Sequence, residues 1–466
     1  MRDRINRGRW SGKLRRAGPF LAALIALELV IAGISLHSGP SAPQHAAPPP
    51  TSASPSTSGP TDTSARPAPR PPATINGTTT LDRVRQLLER RAHAITTHDR
   101  AGFLATVDPT QPKLRAAQNA FFTDVSAVPF ATWRYDVGSD PGLPAVGRTF
   151  TRYHAPVYAA AIQLVYALQS VDPVPTTRNQ FLTFVNRNGT WYFGSDSDFA
   201  SVGKPSWQGI WDFGPIVVHR GARCLVLSHP DHAAELPAIA DQVDQAIDRV
   251  SAVWGTAWPR RVAVLLPDTQ EEMTGVVGGG LDLAHIAAVA TADYTNTRTG
   301  VARGQRVVIN PVHLMALGSI GRPVVLRHEL THVATRTVTG PSTPVWLAEG
   351  FADFVGYYDT GISVRLAAQE LQIEVSHGQV PDTLPSDKEF AGDNPRLSQV
   401  YEEAWLACRL IADKVGTAGL VRFYRLVGQD TDVPSAAVEH ALRTVVGMSY
   451  ADFVRQWRSE LVTDLS

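Results

Sequence analysis

The sequence predicts an α+β chain with a single N-terminal transmembrane helix, a small α+β domain, and a larger domain whose β-rich half precedes a helical half. Three observations carry that expectation. A basic stretch precedes an apolar run of roughly membrane-spanning length. Two aromatic-rich strand candidates flank Asn188-Gly189, a preferred hairpin turn. Past residue 322, strand-like runs give way to helical periodicity.

Residues 1–17 form a basic tail carrying Arg2, Arg4, Arg7, Arg9, Lys13, Arg15 and Arg16. The run PFLAALIALELVIAGISL at 19–36 is close to the roughly 18–20 apolar residues that cross a bilayer. Glu28 interrupts it at about 2–3 kcal/mol, which the surrounding Leu, Ile, Val, Ala and Phe residues offset. The basic flank predicts a cytoplasmic N-terminus, an anchor in the lipid bilayer over 18–36, and an extracytoplasmic remainder: a single-pass protein of the cell membrane. A cleaved signal peptide is the competing reading. The run is long for one, and no clean Ala-x-Ala site follows.

Residues 37–77 are rich in Pro, Ser, Ala and Thr and lack apolar periodicity, so they read as a disordered, semi-stiff linker. A small α+β domain is expected over 78–204, opening on the helical period of TTTLDRVRQLLERRAHAI and containing the hairpin FLTFVNRNGTWYFGSD at 181–196. It loosely resembles the cone-shaped SnoaL-like, or nuclear-transport-factor-two-like, domains. That resemblance implies a pocket able to hold a ligand, or a spacer or docking role; no catalytic constellation is present. The last region, 205–466, begins with the strand candidates GPIVVHRG and RCLVLSH, then a helix at ELPAIADQVDQAIDRVSAVW, then RRVAVLLP, HIAAVATAD and QRVVINP. QRVVINP at 305–311 reads as an edge strand or an internal one.

Composition bounds the function. The 466 residues are 44% hydrophobic and 18% charged, enough to build a substantial globular core. Formal net charge is zero, and no basic patch interleaved with aromatics occurs in the regions expected to fold, which excludes a nucleic-acid partner. Cys224 and Cys408 lack metal or redox spacing; they read as two buried thiols or, outside the cytoplasm, as a disulfide. The sequence leaves the oligomeric state open.

The chemistry concentrates in RHELTHVATR at 327–336. With 14 His in the chain, a chance His-Glu-x-x-His has odds of about one in eighty, so the spacing needs support. On a helix, four residues turn through about 400°, so His328 and His332 share a face and can reach one metal ion, with Glu329 beside them. Leu326, Leu330, Val333, Ala334 and the methyl of Thr337 form the packing stripe on the other side, with Val325 the exception. In VWLAEGFADF at 345–354, Leu347, Phe351, Phe354, Val355 and Tyr358 form a packing face, while Glu349 and Asp353 lie together opposite. Pro344 suits the first turn, with Thr343 as its cap. Glu349 can supply a third metal ligand, and Asp353 can accept the free ring N–H of a ligating histidine.

These residues resemble the gluzincin zinc peptidases, specifically the peptidase MA-like group in its actinobacterial membrane-anchored form: His-Glu-x-x-His on one helix, Glu-Gly-x-Ala on the next. WLAEGFADF is also similar to the signature of aminopeptidase-N-type enzymes, although no segment for holding a free amino terminus occurs upstream. A metzincin pattern is excluded by Thr335 and Val338, where it requires Gly and His. The resemblance implies a zincin-type domain over 205–466, Zn²⁺ bound by His328, His332 and Glu349, Glu329 as general base, and Asp353 behind a ligand. It further implies Tyr401, in QVYEEAWLACRLIADKVG, as a donor to the oxyanion, with a packing role as the alternative. The expected activity is hydrolysis of a peptide or protein substrate outside the cytoplasmic membrane. The alternative is a non-catalytic zinc-containing scaffold or cell-envelope sensor. His285, His313 and His377 lack partners at ligand spacing and read as structural.

Overall fold

The computed structural model describes residues 79–138, 143, 148–278, 283 and 286–466. The basic tail, the apolar run at 18–36, the linker at 37–77 and His285 lie outside the described residues.

The first element, α1 (Thr80–Thr96), starts at a capping box. Thr79 Oγ1 accepts from the Asp82 N–H at 3.1 Å and the Asp82 carboxylate accepts from the Thr79 N–H at 3.1 Å. Helices α2 (Arg100–Ala105) and α3 (Pro112–Ser126) follow, then β1 (Phe130–Asp136), the short α4 (Arg148–Thr151), β2 (Val157–Leu168), β3 (Thr176–Arg187) and β4 (Thr190–Ser195). The four strands pair antiparallel in the order β1-β2-β3-β4. Asn188 and Gly189 turn β3 into β4 with φ of 50° and 88°, the left-handed values their residue types tolerate. Helix α1 touches both outer strands, so the sheet curls about it. Val84, Leu87 and Leu88 pack there against Ile162, Leu182, Phe184 and Phe193.

A second sheet has the order β5-β6-β7-β11-β8. Its strands are β5 (Val217–Arg220), β6 (Cys224–Ser228), β7 (Val262–Leu266), β8 (Ala288–Thr291) and β11 (Arg306–Ile309). Helix α5 (Leu236–Trp254) crosses between β6 and β7, α6 (Gln270–Val277) follows β7, and β9 (Tyr294–Asn296) with β10 (Val301–Arg303) forms a separate hairpin. Strands β6, β7 and β11 run parallel, while β5 and β8 are antiparallel edges. Every residue of β6, β7, β8 and β11 is buried, because both faces of the sheet are covered. Val226, Val264, Leu266, Ala288, Val307 and Ile309 face a helical core. Their alternates Leu225, Leu227, Ala263, Leu265, Val289 and Val308 pack with Trp133, Leu164, Tyr166 and Trp211 near the curled sheet.

The helical part comprises α7 (Pro311–Ala316), α8 (Gly318–Thr335), α9 (Val345–Tyr357), α10 (Val364–Ala367), α11 (Gln369–Ser376), α12 (Leu397–Gln429), α13 (Pro434–Ala441) and α14 (Tyr450–Leu465). Helix α12 breaks at Gly416, where φ is 75°.

The expected fold class is corrected. Among the described residues no helix is long and apolar enough to cross a membrane. Helices and strands are also not segregated as α+β requires: the fold mixes α and β, with a curled sheet. The unbroken apolar runs CLVLS and VAVLL become parallel neighbours, so α5 must cross between them inside the expected β-rich half. The two sheets, moreover, share one core. QRVVINP supplies an internal strand, and the edge beside α8 is β8.

Candidate metal centre

Two buried helices build the centre. From Val324 to Thr335 every residue of α8 except Arg327 is buried, as is α9 from Trp346 to Gly356. The sequence places the polar faces of these helices away from their own packing stripes, and in the fold those polar faces meet each other. Gly350 makes the approach of α9 to α12 possible, since a Cβ there would collide with the Ala404 carbonyl. Helix α9 begins one residue later than expected: Pro344 is its N-cap, and the Val345 N–H donates to Asp387 Oδ1 at 2.9 Å.

His328, Glu329, His332, Glu349 and Asp353 come together. The Nε2 atoms of His328 and His332 are 2.8 Å apart, and Glu349 Oε2 lies 3.3 Å from the first and 3.4 Å from the second. His328 Nδ1 is 2.9 Å from Asp353 Oδ1. With the Nδ1 proton donated to Asp353, His328 presents a bare Nε2 to the group. A second imidazole nitrogen and a carboxylate oxygen converge on it. Ligands at about 2.0–2.2 Å from a tetrahedral zinc sit roughly 3.3–3.5 Å from one another. The two distances from Glu349 match that spacing, while the two Nε2 atoms stand closer together; the three buried donors could hold one metal ion.

Burial pushes the Glu329 carboxyl up to about 7, with Glu349 adding to the rise and His328 opposing it. Burial holds His332 down to about 4, in its neutral, metal-binding form. Burial would raise Glu349 as well, but His332 and His328 outweigh it and hold the carboxyl low.

Strand β8 and Arg336 complete the surroundings, and sequence spacing did not identify either as part of the site. The Ala290 N–H bonds the Glu329 carboxyl. Arg336 Nη2 donates to the Ala290 carbonyl at 2.8 Å. The spacing of Arg336, one turn beyond His332, was the available signal; the pairing with β8 had none. Tyr401 is buried on α12, edge-to-face with Phe390 at 5.1 Å. Cys224 and Cys408 are both buried free thiols.

No known family's sequence profile matches the chain, and no curated protein matches it. Among solved structures it is similar to an M1 zinc metallopeptidase from Deinococcus radiodurans, at 16% identity over 65% of this chain and 60% of that one, with a TM-score of 0.35. It is also similar to native yeast LTA4 hydrolase, at 12% identity over 66% of this chain and 43% of that one, with a TM-score of 0.35. The chain thus spans about 60% of the length of the first of these and less of the second. Such scores relate the backbones only loosely, and the chemistry must be read from the side chains.

Proposed function

We propose that this chain is a zinc-dependent metallopeptidase. The observation that carries the reading is the buried convergence of His328, His332 and Glu349 with Glu329 beside them. Three protein ligands leave a fourth position open, as catalytic zinc sites do and closed structural sites do not. When bound, zinc supplies Lewis acidity that activates water and polarises a carbonyl. Glu329, buried beside the three donors, takes the proton from water and returns it to the leaving amine. Asp353 holds His328 through Nδ1, so that Nε2 faces the metal. Arg336 holds the Ala290 carbonyl, which fixes β8 against Glu329.

Within zinc peptidases, the pattern His-Glu-x-x-His followed by Glu349-Gly350-x-Ala352 favours a gluzincin of the peptidase MA-like type. An extended peptide laid along the outer side of β8 would place its backbone near Glu329. The basic flank and apolar run before residue 37 favour an extracytoplasmic location, which fractionation of cells expressing the full chain tests.

The decisive experiment compares the full chain with its Glu329→Gln variant for bound zinc and hydrolysis of a peptide library. The variant is expected to keep zinc and lose activity by about 10²–10⁴-fold. Equal turnover by both proteins overturns the reading.

A further inference from the structure

Arg91 lies on α1, inside the curled-sheet part of the chain, and is 3% exposed. Its guanidinium donates to Thr106 Oγ1 at 3.3 Å and to Gln118. It also lies 4.0 Å from the Phe103 ring centre and 4.3 Å from that of Phe193. Among the described residues, no carboxylate stands within ion-pairing distance of it. Asp196 acts on it from beyond that distance. A buried cation without a direct ion pair costs several kcal/mol, so a position that keeps one calls for a reason.

The reason lies in the cavity that Arg91 lines. Its volume is about 40 Å³, and its wall includes Gln118, Tyr135, Trp207, Asp196 and Asp212. A single water needs roughly 10–15 Å³, so the cavity holds about three waters, or one molecule of five or six heavy atoms. Of the wall residues Asp196 and Asp212 are the exposed ones, which puts them toward the mouth while Arg91 lies inside; partial burial still raises both carboxyls, that of Asp212 to about 7. A simple anion would face two acids on entry. A simple cation would meet Arg91 at the end of its path. A molecule with both charges answers both ends.

We propose that this cavity binds a small zwitterion, a free α-amino acid of glycine or alanine size. The carboxylate supplies the direct ion pair that Arg91 lacks, and the ammonium lies between Asp196 and Asp212. The indole N–H groups of Trp133 and Trp207, both on the wall, are buried without acceptors, so further acceptor oxygens are in demand there. The site stands whether or not the metal centre hydrolyses peptides.

The test titrates alanine, acetate and ethylamine separately into the full chain after chelation of metal, following tryptophan fluorescence. Asp212→Asn is the informative variant: Asp212 is exposed, and asparagine still offers an oxygen to the Gly209 N–H that Asp212 caps at 2.7 Å. Arg91→Gln, checked for folding by circular dichroism, is the second. Alanine is expected to bind saturably and about tenfold more tightly than acetate or ethylamine. It should weaken about tenfold in Asp212→Asn, while acetate binding does not weaken. Folded Arg91→Gln should lose alanine. Absence of saturable binding, equal binding of alanine and acetate, or unchanged alanine affinity in Asp212→Asn each overturns the proposal.

Discussion

Asp353 holds His328 from behind with one 2.9 Å hydrogen bond, and that bond decides which ring nitrogen faces the other donors. Asp353→Asn, which can offer its amide to the ring in the wrong sense, is expected to weaken zinc binding about 10–100-fold. Competition with a calibrated chelator measures this, and unchanged affinity would remove Asp353 from the site. A second residue-scale case is Asp108, buried beneath Arg187 at 2.7 Å and bonded also by Thr110 and Gln111. Burial alone would raise its carboxyl, but these partners win and hold it at about 2. Its folded value lies below the unfolded one, so its contribution is present above about pH 4 and is lost as pH falls towards 2. Asp108→Asn should therefore cost about 3 kcal/mol near neutral pH, with the deficit shrinking across that acidic window. Urea denaturation at several pH values shows it; a deficit that stays flat down to pH 2 contradicts it.

Helices α8 and α9 show what local spacing can disclose. His328, His332, Glu349 and Asp353 were legible because a helix fixes the relation of residues four apart before any tertiary contact forms. The partner surface was not legible. Strand β8 reaches Glu329 only because β11 inserts between β7 and β8, an arrangement that alternation in QRVVINP does not encode. Wheel patterns likewise placed the acid and histidine faces opposite their packing stripes, without showing that α9 would cover α8 and bury both. Gly350 carries that contact. Gly350→Ala pushes a methyl group into the Ala404 carbonyl, a backbone atom that cannot step aside. A loss of about 3 kcal/mol is expected, together with reduced zinc content because Glu349 moves with the helix. Thermal unfolding and metal analysis check both, and a wild-type melting temperature would refute the packing account.

Over the whole molecule, the curled sheet and the five-stranded sheet are joined by buried charge as well as by apolar packing. Arg306 at the start of β11 makes a bidentate pair with Asp172, at 2.7 and 2.8 Å, with both side chains 5% exposed. Thr176 and Arg178 of β3 both reach Asp293, just beyond β8. Asp172→Ala strands the Arg306 charge and should cost about 3–5 kcal/mol. Because the sheets share a core, tryptophan fluorescence and far-ultraviolet dichroism should report one common unfolding transition, and separated transitions would show the two sheets to be independent. The sequence could not disclose this union. Asp172 and Arg306 are 134 residues apart, and nothing local in either stretch names the other.

The alternation that feeds the two cores also constrains how this chain can vary. In β7, Val262, Val264 and Leu266 belong to one core, while Ala263 and Leu265 belong to the other. Inserting a single residue into that strand exchanges the two sets and sends each side chain into the wrong compartment. Adding two restores the parity. Length changes compatible with this sheet therefore fall in loops or come within strands in pairs, so the spacing of its strands is held more tightly than the identity of the aliphatic residues that fill them.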